Sequence, residues 1–196
     1  MTITTQLYQG EHIYLGPIAF EKDPEIESQW THNPAYLHSL GFDIAMPMSV
    51  AKVKKHYEAI EKEVDESKNT FFFTIRKQGD GQILGFIKFF WIEWTNATGG
   101  LQIGIGNPED RDQEYVAEAL KLALNFAFRE LNLYRLSVFA AADDPMGVQL
   151  LQKHGFVEEV RRRQALQRAG DVSDSLLFGL LQADWLAQQG NNDDRN

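Results

Sequence analysis

The segment TGGLQIGIGNPEDRDQEYVAEAL, residues 98–120, joins a glycine-rich strand to the start of a long helix. Four glycines fall within residues 98–106, and each weakens a strand because it has no side chain to pack. A strand tolerates this where another group must approach its backbone closely. After the turn, polar residues recur at steps of three or four, and this narrow stripe predicts a helix that is largely buried against a sheet. The stripe consists of Glu114, Glu118, Lys121, Asn125 and Arg129.

The flanking segments predict one central sheet with helices packed on it. Asp23, Ser49 and Asp144 are each predicted to cap a helix. The predicted strands are residues 13–18, 70–76, 83–94, 98–106 and 133–141, and two further strands pair across RAGD, residues 168–171. We therefore expect an α+β (α/β three-layer) fold with a mixed, mostly antiparallel sheet flanked by helices.

Length and composition predict a single domain over residues 1–187, followed by a polar tail at residues 188–196 that we expect to be disordered. The net charge of −9 argues against nucleic acid and favours a cationic small molecule or peptide as partner. The absence of cysteine excludes disulfides, thiolate zinc sites and a cysteine nucleophile. The five histidines have no metal-ligand spacing, so no metal is expected. No secretory leader and no bilayer-length apolar run is visible, which predicts a cytoplasmic protein without membrane contact.

Several stretches in this order resemble the GNAT N-acetyltransferase superfamily, in particular its RimJ/RimL-like branch. The resemblance covers about residues 10 to 186. Its main stretches are LGFIKFF at 84–90, IEWTN at 92–96, LQIGIGNPEDR at 101–111, EALKLALNFAFRELNLYRL at 118–136, LLQKHGF at 150–156 and LLFGLL at 176–181.

The resemblance implies that acetyl-CoA is the co-substrate and that it lies along the third central strand and the turn after it. Backbone groups of that strand would face the pantetheine arm, and N–H groups at the helix start would bind the pyrophosphate. The residues that the resemblance assigns to the cofactor are Gly104, Ile105, Gly106, Arg111, Asp112, Gln113, Glu114, Tyr115, Val116 and Asp144.

The chain departs from the family pattern at positions that carry its chemistry. Asp112, Glu114 and Val116 stand where glycines are expected, and Asp144 replaces an asparagine. Gly100 takes the place of a glutamate base, and Leu151 takes the place of the tyrosine that serves as general acid. Glu114 either repels a phosphate or points to water at a helix start, where acids are favoured.

The remaining site residues have two interpretations each. Glu93 is the tentative substitute base, or a surface residue of an alternating strand. Trp30, Tyr36 and Phe42 either line the acceptor pocket or pack in the core. Arg161–Arg163 form a short basic run whose simplest role is a solvated strand face.

The leading hypothesis is an acyl-CoA-dependent N-acetyltransferase whose acceptor is a primary amine on a protein N-terminus, a polyamine or an amino-sugar. The alternative is a GNAT-fold protein that has lost catalysis and binds a ligand or a protein. A homodimer is one option for the assembly.

Overall fold

The computed structural model describes residues 7–40, 44–111, 114–168 and 170–193. Within these residues, seven strands form one sheet in the order β1-β2-β3-β4-β5-β7-β6, and six helices accompany it. Most neighbouring strands are antiparallel, which confirms the predicted α+β class. The strands are β1 Ile13–Gly16, β2 Phe71–Lys77, β3 Ile83–Glu93, β4 Thr98–Ile105, β5 Arg135–Ala141, β6 Val157–Arg168 and β7 Asp171–Leu181. The helices are α1 Asp23–Trp30, α2 Pro34–Ser39, α3 Val50–Ser67, α4 Glu114–Asn125, α5 Pro145–Lys153 and α6 Gln182–Asp193.

The described residues divide into two compact units. The first comprises Met1–Phe90 and Gln102–Phe126, and the second comprises Trp91–Leu101 and Ala127–Asn196. The two middle strands, β3 and β4, therefore each contribute to both units.

In the first unit, β2 lies antiparallel between β1 and β3. Phe126 closes one face of these strands, with its ring centroid 5.0 Å from that of Phe73 and 5.4 Å from that of Phe89. Such aromatic contacts add to the area that each ring removes from water. The residue that directly follows α4 thus packs the end of this helix onto the sheet.

Helix α3 follows the prediction closely. The Ser49 side chain accepts a hydrogen bond from the Lys52 N–H at 3.3 Å, as expected of an N-cap residue. Val50, Val53, Tyr57, Ile60 and Val64 recur at three- and four-residue steps, and this spacing predicts the buried face of α3. Val53, Tyr57 and Ile60 are buried and Val64 is half-buried, whereas Val50, at the start of the helix, is 44% exposed. This face packs on Leu37 and Met48 in one apolar cluster.

The predicted capping role of Asp23 is wrong. Asp23 is the first residue of α1, and the cap position is Lys22, whose side chain makes no capping bond. The Asp23 carboxylate instead accepts a hydrogen bond from the Ala19 N–H at 2.7 Å and pairs with Arg76. Its carboxylate forms an ion pair in the core, because the buried guanidinium of Arg76 on β2 lies 2.6 Å away.

The second unit is built around the predicted hairpin of β6 and β7. These strands are antiparallel, and Gly170 between them has φ +92°, which glycine adopts without strain. Strand β7 also pairs with the whole length of β5, through its residues Ser175–Leu181. The chain then forms α6, in which Trp185 is buried and its ring centroid lies 5.2 Å from that of Phe128.

Helix α6 extends into the segment predicted as a polar tail. Residues 188–193 are helical, whereas residues 194–196 lie outside the described part of the chain. The Gln188 side chain lies against Gly155: a Cβ added to that glycine would come within 2.0 Å of Gln188 Nε2. The composition of the tail did not reveal this contact, because the contact depends on a glycine far away in the sequence.

Candidate functional site

The glycines at the end of β4 are explained by packing within the first unit. A Cβ added to Gly104 would lie 2.0 Å from Phe86 Cε1, and one added to Gly106 would lie 2.1 Å from Trp30 Cδ2. Carbon atoms in contact are normally separated by roughly 3.5–4.0 Å, so neither position has room for a side chain. The groups that approach this backbone closely are therefore aromatic rings of the protein itself.

The backbone of β4 nevertheless has one side that does not face β3. The Gly106 N–H donates to the Leu84 carbonyl of β3 at 2.9 Å, so it is already used. Successive residues of a strand direct their N–H groups to opposite sides. Of the three residues predicted to contact pantetheine, Ile105 is consequently the one whose N–H points away from β3.

The turn after β4 ends in a short 3₁₀ segment, Pro108–Asp110, and α4 begins at Glu114. Arg111 is half-buried, as are Tyr115 and Val116 in the first turn of the helix. Asp112 and Gln113 lie outside the described residues. The N-terminal end of α4 thus follows the predicted turn.

Glu114 points into solvent. Its side chain is 86% exposed, and its carboxylate lies 3.3 Å from Nε2 of His12. This position agrees with the interpretation that the residue heads the polar stripe of α4. An exposed carboxylate is screened by water and salt, which weakens its repulsion of a nearby anion.

Glu118, one turn further along α4, has a role that the sequence did not suggest. Its carboxylate accepts hydrogen bonds from the backbone N–H groups of Glu11 and His12, the latter at 3.0 Å. A Cβ on Gly10 would collide with the same side chain. The polar stripe of α4 therefore holds the segment before β1. The sequence did not reveal these contacts because Glu118 lies more than a hundred positions from Glu11 and His12.

In the second unit, β4 and β5 pair in parallel over three positions, Thr98–Gly100 with Arg135–Ser137. Gly100 is buried in this pairing. Glu93 ends β3 with an exposed side chain, and its Oε2 accepts a hydrogen bond from Asn96 Nδ2 at 2.9 Å. Its role as base stays a prediction.

Helix α5 has no side-chain acid at the position of the family tyrosine. Leu151 is buried at 7% exposure in that place. Asp144 caps the helix, since its Oδ1 accepts a hydrogen bond from the Gly147 N–H at 3.0 Å. This bond supports a structural role for Asp144, the simpler of its two interpretations.

Two of the three residues predicted for the acceptor pocket lie together in the core. The rings of Trp30 and Tyr36 meet edge to face with centroids 5.4 Å apart, and both side chains are buried. They belong to an apolar cluster with Ile83 and Phe86. Phe42 lies outside the described residues.

A buried polar cluster at the junction of the first three helices and β2 was missed by the sequence analysis. Asp23 pairs with Arg76 at 2.6 Å, and the guanidinium also donates to the Pro17 carbonyl at 3.0 Å. One turn after Asp23, the buried carboxyl of Glu27 accepts a hydrogen bond from the Tyr57 hydroxyl. The signal that could have found it is the pair of acids four residues apart on a helix with an otherwise weak apolar face.

Burial controls the protonation of this cluster. Desolvation raises the pKa of Glu27 from 4.5 to about 7, although the hydrogen bond from Tyr57 and the nearby hydroxyl of Tyr36 oppose the rise, and the charge of Asp23 adds to it. Burial, with the negative charge of Glu27, also raises the pKa of both tyrosines. Glu27 is thus a carboxyl group that titrates near neutral pH.

Comparison with known proteins identifies the family. The sequence profile of the Acetyltransferase (GNAT) domain matches residues 12–157, which is well over half of the chain. The chain belongs to the GNAT acetyltransferase family.

Relatives within the GNAT family agree with this assignment. The spermidine N(1)-acetyltransferase of Vibrio cholerae serotype O1 is 26% identical over 104 residues, 53% of this chain and 60% of that protein. The match therefore spans less than two thirds of the relative's own length.

Two solved structures show the same fold over a greater length. The crystal structure of spermidine N-acetyltransferase from Vibrio cholerae in complex with CoA and spermine has a TM-score of 0.74 and 20% identity, with 89% of this chain and 98% of that chain covered. The crystal structure of a probable acetyltransferase has a TM-score of 0.78 and 21% identity, with 92% of this chain and 98% of that chain covered.

The described residues contain neither a candidate membrane-spanning helix nor a candidate metal site. No helix of this part of the chain has both the length and the apolar character needed to cross a bilayer. In the same ranges, no group of three or more His, Asp or Glu side chains is arranged to hold a metal ion.

Proposed function

We propose that this GNAT protein is an N-acetyltransferase that moves an acetyl group from acetyl-CoA to a primary amine. Membership of the acetyltransferase family and the fold shared with a CoA-bound structure support this proposal. The strand–turn–helix from β4 to α4 gives the cofactor a place to bind along main-chain groups. Side chains at that place fit an anion less well than glycines do.

The residues present are compatible with the cofactor at three points. The Ile105 N–H points away from β3 and is directed toward the side on which a pantetheine amide would pair. Arg111 offers a guanidinium for a phosphate. The first N–H groups of α4, including those of Tyr115 and Val116, lack a partner within the helix and lie at its positive end.

The observation that carries the proposal is the position of Glu114. Its carboxylate, the most unfavourable group for a pyrophosphate, is exposed and lies beside His12. The departure at this position therefore weakens cofactor binding without blocking it.

Bound acetyl-CoA would supply the acetyl group as a thioester. An amine that is protonated in solution first loses one proton to water. The neutral amine nitrogen then bonds to the acetyl carbon, the carbon–sulfur bond breaks, and one proton leaves the nitrogen for a base. We assign this base to Glu93, whose carboxylate is exposed and oriented by Asn96. Since Leu151 cannot donate a proton, solvent protonates the departing thiolate.

A cationic acceptor fits the chain best. The net charge of −9 attracts amines that are protonated in solution, and the curated relative acts on spermidine. We propose a polyamine ahead of a peptide N-terminus or an amino-sugar. Thiol release from acetyl-CoA with spermidine, a peptide with a free N-terminus and an amino-sugar as separate acceptors tests this, and a preference for the peptide or the amino-sugar would contradict it.

Matched variants sharpen the experiment. Glu93→Gln should lower the rate of thiol release and shift its pH dependence, whereas Glu130→Gln, which changes an exposed acid outside the proposed cofactor site, should change neither. Equal effects of both variants would remove Glu93 from the mechanism. No thiol with any acceptor, together with no thermal shift in CoA, would refute the transferase proposal.

The second candidate is a GNAT protein that binds without catalysis. The specific observation in its favour is Leu151, which is buried where the family has its general acid. Calorimetry with CoA separates the two. Under this candidate, Glu114→Gly combined with Val116→Gly should bind CoA more tightly than wild type, and micromolar binding by the wild type would count against it.

A further inference from the structure

Helix α1 carries two acids, Asp23 and Glu27, on the same face one turn apart, and both are almost completely buried, with 1% and 3% exposure. One oxygen of Asp23, Oδ2, accepts hydrogen bonds from Arg76 and from the Ala19 N–H. The other oxygen, Oδ1, has no hydrogen-bond partner among the described residues. A buried acceptor without a donor is costly, so a donor is expected there.

Glu27 has the same defect. Its Oε2 accepts a hydrogen bond from the Tyr57 hydroxyl, whereas its Oε1 has no partner in the described part of the chain. The Tyr36 hydroxyl is also buried there without a hydrogen bond of ordinary geometry, although it is close enough to lower the pKa of Glu27. Arg76 supplies one positive charge for these two acids, and it pairs with Asp23.

We propose that Glu27 is a carboxylic acid in the folded protein and that its proton, on Oε1, is donated to Asp23 Oδ1. A single proton then gives both unpartnered carboxyl oxygens a hydrogen bond. It also leaves one negative charge, on Asp23, opposite the one positive charge of Arg76. The proton is the simplest occupant of this site, since it needs no cavity.

The groups that face Glu27 determine how tightly it holds this proton. Asp23 on its own helix repels the ionised form, and burial removes the water that would stabilise it. The hydrogen bond from Tyr57 on α3 and the nearby hydroxyl of Tyr36 on α2 favour the ionised form. Arg76 on β2 is engaged by Asp23.

The proton acts as a latch between helices. Tyr57 belongs to the apolar cluster of α2 and α3, and Tyr36 belongs to the cluster of α1, α2 and β3. Glu27 therefore accepts its hydrogen bond from Tyr57 at the place where these two clusters meet. When α1 opens, Glu27 reaches water and releases one proton to it. Opening therefore becomes easier as pH rises from the ordinary pKa of the carboxyl, 4.5, to its value in the folded protein, about 7, and levels off above that.

Hydrogen exchange of the α1 amides tests the latch. At each pH, the wild-type rate is divided by the rate in Glu27→Gln, which keeps the shape of the side chain but cannot ionise, so that the intrinsic pH dependence of exchange cancels. Between about pH 5 and about pH 8 this ratio should rise roughly 70-fold, because opening is linked to the release of one proton. Dividing instead by Glu58→Gln, which changes an exposed acid beside Tyr57, should give a ratio that does not change with pH.

Two further measurements test the shared proton without Glu27→Gln, in case that variant does not fold. Tyr57→Phe removes the donor that favours ionised Glu27, so its exchange should keep rising at pH values where the wild type has levelled off. At about pH 6, where exposed carboxyl groups are ionised, the wild-type infrared spectrum should contain a protonated carboxyl band that disappears as the pH is raised. A ratio independent of pH, or no such band, would overturn the proposal.

Discussion

The replacement Gly104→Ala tests why β4 is rich in glycine. The added Cβ would lie 2.0 Å from Cε1 and 2.6 Å from Cζ of Phe86. Because carbon contacts normally measure at least about 3.5 Å, the ring must move by roughly 1.5 Å. The ring is buried and stacks on Phe72 with centroids 5.6 Å apart, so it has little freedom to move.

Overpacking of this kind costs about 1–3 kcal/mol in the free energy of unfolding. For a chain of this length, that corresponds to a fall in Tm of roughly 2–12 °C. Thermal unfolding followed by circular dichroism measures it. Because the added Cβ points at Phe86 and not along the edge of the strand, CoA affinity measured by calorimetry below the transition should change little.

The control is Gly99→Ala in the same strand. Its Cβ would lie 3.2 Å from Ile92 Cγ1 and 3.3 Å from Leu133 Cδ1, gaps that need shifts of a few tenths of an ångström, so a smaller loss is expected. Phe86→Leu should partly rescue Gly104→Ala, with a coupling of about 0.5–3 kcal/mol in a double-mutant cycle. If Gly104→Ala unfolded like wild type but lost CoA binding, the packing explanation would be refuted.

Three further predictions concern stability. Because the pKa of Glu27 is raised, the folded state binds more protons than the unfolded state between pH 4.5 and about 7, and wild-type stability to urea should fall by about 3 kcal/mol as pH rises through this window. Glu27→Gln should abolish that decline, and parallel curves for the two proteins would contradict the prediction. Glu118→Ala should cost about 1–3 kcal/mol, since two backbone N–H groups lose a charged acceptor, and proteolysis before β1 should become faster; unchanged cleavage would argue against the contact. Gly190→Ala in α6 meets no atom within 4 Å and should raise stability by about 0.5–1 kcal/mol in thermal unfolding, whereas a loss would mean that α6 ends before this residue.

Local signals in the sequence were sufficient for most of the elements. The steps of Val53, Tyr57 and Ile60 predicted the buried face of α3, and the turn at Gly170 predicted the hairpin of β6 and β7. The family was also recognisable from ordered stretches of sequence. These features depend on neighbours within a few positions along the chain.

The candidate site was only partly predictable. The turn from β4 to α4 was expected, but the reason for its glycines was not, because Phe86 and Trp30 come from other elements. The Glu114 carboxylate lies beside His12, which is more than a hundred positions earlier in the chain. The hydrogen bonds of Glu118 join α4 to the same segment. Helix periodicity placed both acids on a polar stripe and could not say what that stripe contacts.

The sequence by itself determined the periodicity, the turns and the family, since each is written in short stretches of residues. Only the tertiary structure decided that Asp23 is an ion-pair partner and not a cap, and that Glu27 titrates near neutral pH. Their partners Arg76 and Tyr57 lie 53 and 30 positions away. A pKa depends on the water removed and the charges brought near, and folding alone determines both.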